Sequence, residues 1–136
     1  MDNRELIKMA LENKKNAYVP YSGYHVSAVI ETDDGKIYTG VNIEIASYSP
    51  TLCAERTAIF KAVSEGSTKV KKIVVVGDSD WTYPCGVCRQ VIREFGKDAI
   101  IIIAKDEDNY REYTLDELLP HSFGPEELDN AKGDNI

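Results

Sequence analysis

The spacing of apolar positions changes several times along the chain, and each change marks an element. Between residue 4 and about residue 18, Leu6, Ile7, Ala10, Leu11, Ala17 and Tyr18 recur at near-helical intervals, which predicts an amphipathic first helix closed by Pro20. A tyrosine-rich loop follows, Tyr18-Val19-Pro20-Tyr21-Ser22-Gly23-Tyr24. Val26-Ser27-Ala28-Val29-Ile30 reads as a strand, Asp33-Asp34-Gly35 as a hairpin turn, and residues 36–43 as the returning antiparallel strand. Asn42 and Glu44 then share a face at that strand's end, because strand side chains alternate with a period of two.

After an irregular stretch around Ser47, Tyr48, Ser49 and Pro50, the helical stripe Ala54, Ala58, Ile59, Ala62 and Val63 predicts a helix from about 53 to 65, stopped by Gly66. Ile73-Val74-Val75-Val76 is the β-branched run of a strand covered on both faces. A loop at 81–83 leads into a second helix over 85–95 with Cys88, Val91, Ile92 and Phe95 on one side, and 99–104 is another buried strand. Asp106-Glu107-Asp108-Asn109 turns the chain into a short last strand near 110–113, and Thr114-Leu115-Asp116-Glu117 has capping-box spacing for a short helix ending at Pro120. This order of elements predicts one mixed sheet of about five strands with helices on both faces, a three-layer α/β/α domain spanning residues 1–136 with right-handed strand–helix–strand crossovers. The polar stretch 126–136 is expected to be a flexible tail.

Composition narrows the classes of partner. The net charge of −7 argues against a long nucleic acid as ligand, since such proteins present basic surface to phosphates. The longest apolar run, 99–104, is too short to cross a bilayer, and the first residues show no secretory signal. With an odd number of cysteines, three in all, the cytoplasm is the expected compartment. An uncharged small molecule is the expected substrate.

Those three cysteines carry the candidate chemistry. Cys53 opens one predicted helix in Cys53-Ala54-Glu55-Arg56, and Cys85 and Cys88 open the other in Pro84-Cys85-Gly86-Val87-Cys88. Unpaired N–H groups and the helix dipole at each start favour thiolates. Cysteines three apart in a first turn direct both sulfurs to one spot, and Gly86 is expected where the backbone approaches that spot. Three thiolates describe a zinc ion with one open position, Glu55 beside it is placed to move protons, and Arg56 is placed to donate to a cysteine sulfur. Buried structural cysteines, a Cys-x-x-Cys redox pair, and a closed zinc site completed by His25 or His121 are the alternatives. The third cysteine, with Glu55 and Arg56 behind it, favours catalytic zinc.

With these residues in view, the sequence resembles the cytidine deaminase family, in its short, homotetrameric, three-cysteine form. The resemblance rests on Tyr18-Val19-Pro20-Tyr21-Ser22, Asn42-Ile43-Glu44, Cys53-Ala54-Glu55-Arg56-Thr57-Ala58, Pro84-Cys85-Gly86-Val87-Cys88-Arg89-Gln90 and Glu117-Leu118-Leu119-Pro120 with Ser122-Phe123-Gly124-Pro125. It implies one zinc per subunit on Cys53, Cys85 and Cys88, with zinc-bound hydroxide attacking C4 of cytosine and Glu55 shuttling protons, so that cytidine or deoxycytidine yields uridine or deoxyuridine and ammonia in pyrimidine salvage. It further implies that Asn42 and Glu44 hold the ribose, that the Ala54 backbone helps read the pyrimidine, that Tyr24 packs at the nucleoside, that Phe123 reaches a neighbouring subunit's site, and that Arg56 tempers thiolate charge. A deaminase of a cytosine-nucleoside analogue such as blasticidin S is the alternative within the same chemistry, and a non-catalytic zinc or redox domain is the alternative from another class. The chain departs from the family at Tyr24, Ser27 and Ile45, where phenylalanine, glycine and asparagine are usual.

Overall fold

The structure, a computed structural model, describes residues 1–134. Helix α1 (Asn3–Asn13) is capped by Asp2, whose carboxylate accepts from the Glu5 amide at 2.9 Å. It is shorter than its apolar spacing predicts. One 3₁₀ turn follows at Lys14–Asn16, and Ala17 and Tyr18 leave the helix altogether. The reason is a competing partner: the Tyr18 amide donates to the Asn42 carbonyl at 3.0 Å and its carbonyl accepts from the Glu44 amide at 2.9 Å, forming a parallel bridge with Ile43. These bonds satisfy backbone groups that a last helical turn would leave open, two residues before a proline that no helix continues through.

The hairpin of β1 (Val26–Thr32) and β2 (Ile37–Val41) forms as expected, with β2 ending two residues early and Ile43 bridging instead to Tyr18 and Leu52. Then come α2 (Ala54–Ser64), β3 (Val70–Gly77), α3 (Gly86–Phe95), β4 (Ile100–Ala104), β5 (Tyr110–Thr114) and α4 (Leu115–Leu118). The predicted capping box is present: the Thr114 hydroxyl accepts from the Glu117 amide, and the Glu117 carboxylate accepts from the Thr114 amide. The segment expected to be a flexible tail carries α5 (Pro125–Asp134), and the last two positions of that expectation lie outside the described residues.

The strands form one mixed sheet in the order β2-β1-β3-β4-β5, antiparallel except for the β3–β4 pair. Its alternating side chains divide the core in two. Val29, Val74, Val76, Ile102 and Ala104 meet Leu6, Ile7 and Ala10 of α1 on one face. Ile30, Ile73, Val75, Ile101 and Ile103 meet Ala58, Ile59 and Ala62 of α2, Ile92 of α3 and Leu115 of α4 on the other. The central strands are therefore buried on both sides, which is why β3 and β4 read as unbroken apolar runs. Full burial of Leu6 or Ile7 stabilises by about 1.5–3 kcal/mol each.

Helix α2 lies close against β2. A Cβ at Gly40 would sit 2.5 Å from both the Ala54 carbonyl oxygen and the Ala58 nitrogen. The start of α2 is thus held against the sheet at a distance only glycine permits. Gly40→Ala is expected to destabilise the fold by about 1–3 kcal/mol through overpacking. Urea unfolding checks this, and an unchanged midpoint would show that α2 is not held at this contact.

Candidate active site

Each of the two helices on the same face of the sheet begins at a cysteine. Cys53 is the N-cap of α2 and Cys85 the N-cap of α3; their carbonyls accept the first helical hydrogen bonds, from Thr57 and Arg89, both at 3.0 Å. Cys88 lies one turn into α3 and is fully buried. The three sulfurs lie within 4.8 Å of one another. Tetrahedral zinc with bonds of about 2.3 Å to sulfur spaces its ligands about 3.8 Å apart, so this set fits a zinc ion with small side-chain adjustment. Among the described residues no histidine or carboxylate joins the cluster. His25 instead pairs through Nδ1 with Asp78 at 2.9 Å. A closed four-ligand site is not what this arrangement builds.

Electrostatics of the sulfurs show why a cation suits them. The Cys88 thiol, donating to the Cys53 sulfur, and the Arg56 guanidinium, whose Nη2 lies 3.3 Å from that sulfur, hold Cys53 down to about 5 against the effect of burial. The resulting Cys53 thiolate and burial push the Cys88 thiol up in turn. Protein groups alone therefore favour one thiolate strongly and oppose the next, and a divalent cation is the charge that lets all three ionise. Arg56 sits where the sequence places it, with its Nε buried and unpaired.

Glu55 is only 4% exposed, and burial raises its pKa above the usual carboxylate range. It lines a cavity of about 190 Å³ together with Cys53, Cys85, Ala54, Asn42, Tyr24, Val26, Thr82 and Tyr83. Four separate stretches of sequence meet there.

Two of the residues expected to bind substrate do not line this cavity. Glu44 accepts from the Tyr21 and Ser22 amides at 3.1 and 3.0 Å and from the Ser22 hydroxyl, so within this chain it closes the tyrosine-rich loop. Phe123 is 56% exposed, and the Gln90 side chain donates to its carbonyl at 3.0 Å. Asn42 does line the cavity while pinning the backbone opposite: Oδ1 accepts from the Val26 amide at 3.0 Å and Nδ2 donates to the Tyr24 carbonyl at 2.8 Å. At Gly86 a Cβ would meet no other part of the chain within 4 Å, its two neighbours aside.

Val26, Thr82 and Tyr83 are cavity residues that sequence reasoning missed. Nothing in their spacing marks them, and the one available signal was the position of Thr82 and Tyr83 just before Pro84-Cys85. The Tyr83 hydroxyl is held 2.6 Å from that of Tyr113 and 3.1 Å from Arg111 Nη1, while the Arg111 guanidinium stacks over Trp81 at 3.9 Å. The loop before α3 is thus moored to β5.

Comparison with known proteins agrees with this geometry. Residues 1–104 match the family described as "Cytidine and deoxycytidylate deaminase zinc-binding region". The chain is 44% identical over 132 residues to a cytidine deaminase of Halalkalibacterium halodurans, covering 96% of this chain and all of that one. It is 42% identical over 133 residues to a probable cytidine deaminase of Dictyostelium discoideum, covering 94% of this chain and 90% of that one. Among solved structures, a cytidine deaminase from Burkholderia pseudomallei superposes with a TM-score of 0.85 at 38% identity, covering 90% of this chain and all of that one. One from Mycobacterium tuberculosis gives 0.80 at 36% identity, covering 91% and 98%.

Zinc added to the reduced, metal-free protein is expected to protect all three cysteines from thiol reagents at one ion per chain. Protection of only two, as a simple Cys-x-x-Cys site would give, would remove Cys53 from the metal.

Proposed function

Because the chain belongs to the cytidine and deoxycytidylate deaminase zinc-binding family, we infer that it hydrolyses cytidine and deoxycytidine to uridine and deoxyuridine with release of ammonia. The observation that carries this reading is the buried carboxyl of Glu55 beside three convergent sulfurs, with Glu55, Cys53 and Cys85 lining a cavity of about 190 Å³. Cys53, Cys85 and Cys88 hold one zinc ion. Bound there, zinc supplies Lewis acidity that makes water a nucleophile near neutral pH.

The chain's own groups do the rest. Glu55 takes one proton from the attacking water and delivers it to N3 of the ring while the water oxygen bonds to C4; it then takes the remaining proton from that oxygen and delivers it to the amino group, which leaves as ammonia as the C4–N bond breaks and the C4 carbonyl forms. Burial raises the carboxyl's pKa, and a nearby cation pulls it the other way, so the opposing influences suit a group that must both accept and give a proton. Arg56 offsets the surplus negative charge of three thiolates through its contact with Cys53. The Ala54 backbone, in the first turn of α2, reads the pyrimidine edge, and the Tyr24 ring packs against the nucleoside.

Asn42 and Glu44 hold the ribose hydroxyls. The support is that Asn42 lines the cavity with its carboxamide already fixed by backbone partners. Glu44 is kept below its usual pKa, first by the Ser22 hydroxyl and then by the Ser22 and Tyr21 amides, so it stays an ionised acceptor. Phe123, exposed and outside its own chain's cavity, reaches a neighbouring site in a homotetramer. The chain works as one domain on free nucleosides in the reducing cytoplasm, in pyrimidine salvage. No helix among the described residues is long and apolar enough to cross a membrane.

Loss of cytidine absorbance on addition of the zinc-loaded protein tests the reading, and no turnover of either cytidine or deoxycytidine would sink it. Glu55→Gln is expected to keep zinc and fold while cutting turnover by at least about 10²–10⁴-fold. Near-normal activity in that variant would take Glu55 out of the mechanism.

A further inference from the structure

The β1–β3 ladder has its last backbone pair at Val26 and Gly77. Beyond that pair the two strands run on into loops that each contribute a wall of the cavity, Tyr24 from one and Thr82 and Tyr83 from the other. Side chains continue the pairing where the backbone stops. Asp78 Oδ2 accepts from both the His25 amide at 2.7 Å and His25 Nδ1 at 2.9 Å. One residue further out, the Tyr24 hydroxyl lies 3.1 Å from the Ser79 amide and 2.8 Å from Thr82 Oγ1, and Thr82 Oγ1 lies 3.3 Å from the Ser79 carbonyl.

These three contacts have a single consistent direction. The Ser79 amide donates to the Tyr24 hydroxyl, that hydroxyl donates to Thr82, and the Thr82 hydroxyl donates back to the Ser79 carbonyl. Each hydroxyl donates once and accepts once, so the group forms a closed hydrogen-bonded ring that polarises cooperatively. Gly77 makes room for it, since a Cβ there would lie 2.8 Å from Thr82 Cβ and Cγ2. The far end of the loop is independently moored through Tyr83 to Tyr113 and Arg111. Thr82 is therefore the wall residue whose position the Tyr24 hydroxyl decides.

We propose that the Tyr24 hydroxyl, Ser79 backbone and Thr82 form a clasp that fixes the spacing of the two cavity walls, and that Thr82 is a positioning residue for nucleoside binding. The proposal rests on the deaminase reading above. It gives the Tyr24 hydroxyl a definite task. Glu55 and the three cysteines are carried by α2 and α3, outside the ring, so the clasp acts on how tightly substrate is held and leaves the chemical step alone.

Steady-state kinetics on cytidine with the zinc-loaded enzyme test this. Tyr24→Phe keeps the aromatic ring and removes the donor; Thr82→Val keeps the shape and removes the acceptor; Thr82→Ser keeps the hydroxyl. Tyr24→Phe and Thr82→Val are each expected to raise KM about three- to tenfold, the effect of one broken hydrogen bond, with kcat within about twofold. Thr82→Ser is expected to retain the parental KM, and the double variant Tyr24→Phe/Thr82→Val to be no worse than the worse single one, because both break the same ring. KM moved less than about twofold in both single variants, multiplicative effects in the double variant, or a fall in kcat at constant KM would each overturn the clasp. Should Thr82→Val fail to fold, Tyr24→Phe decides the matter from the other end of the same bond. Parental enzyme without turnover would instead overturn the deaminase reading on which the clasp rests, whereas normal parental turnover with unmoved KM would overturn the clasp alone.

Discussion

Two helix N-termini meet at one end of the sheet, and everything else in the site is counted from them. Cys53 and Cys85 are the capping positions of α2 and α3, so their sulfurs stand at the positive ends of two helices. The first turns then deliver Ala54, Glu55 and Arg56 from one helix and Cys88 from the other with no freedom beyond side-chain rotation. What fixes this meeting is packing: α2 touches β2 at Gly40 at a distance a methyl group would not allow, and α3 is locked to the same face through Ile92. A shift of either helix by one turn would separate the sulfurs and leave no shared ion.

That convergence creates an electrostatic problem that defines the chemistry. Three sulfurs lie within 4.8 Å of one another, with two helix ends and one guanidinium beside them. Arg56 and the neighbouring thiol stabilise charge on Cys53, and that charge is what resists ionisation of Cys88. A divalent cation resolves the conflict, and the same cation acts against the desolvation of the buried Glu55. Burial and charge thus act on the sulfurs and on the Glu55 carboxyl together, and a change to any one of these groups is felt by the others.

The cavity walls follow a different logic. They come from loops, and they are rigid because polar side chains take over where backbone pairing ends. Asn42 bonds the backbone at Tyr24 and Val26, Glu44 closes the turn at Tyr21 and Ser22, and Asp78 grips His25. Even the departure of Tyr18 from the first helix belongs to this pattern, since its backbone pairs with the chain beyond β2. The two residues proposed to bind ribose, Asn42 and Glu44, therefore also hold the loops around the cavity in shape.

How much of this was legible in the sequence differs by element. The β-branched runs at 73–76 and 101–103, the apolar stripe at Leu6, Ile7 and Ala10, and the capping box at Thr114 and Glu117 are local patterns with local causes, and the elements they predict are all present. The spacing of Cys85 and Cys88, with Cys53 opening a second helix, was enough to indicate a metal site, because residue type and helical period constrain that chemistry. Tertiary structure alone decided where α1 stops, since a long-range bridge at Tyr18 overrode the helical period. It alone placed Val26, Thr82 and Tyr83 in the cavity wall and turned Glu44 toward the tyrosine-rich loop. Periodicity reports which side of its own element a residue occupies; which distant segment comes to face that side is settled by packing across the sheet, and no local pattern encodes it.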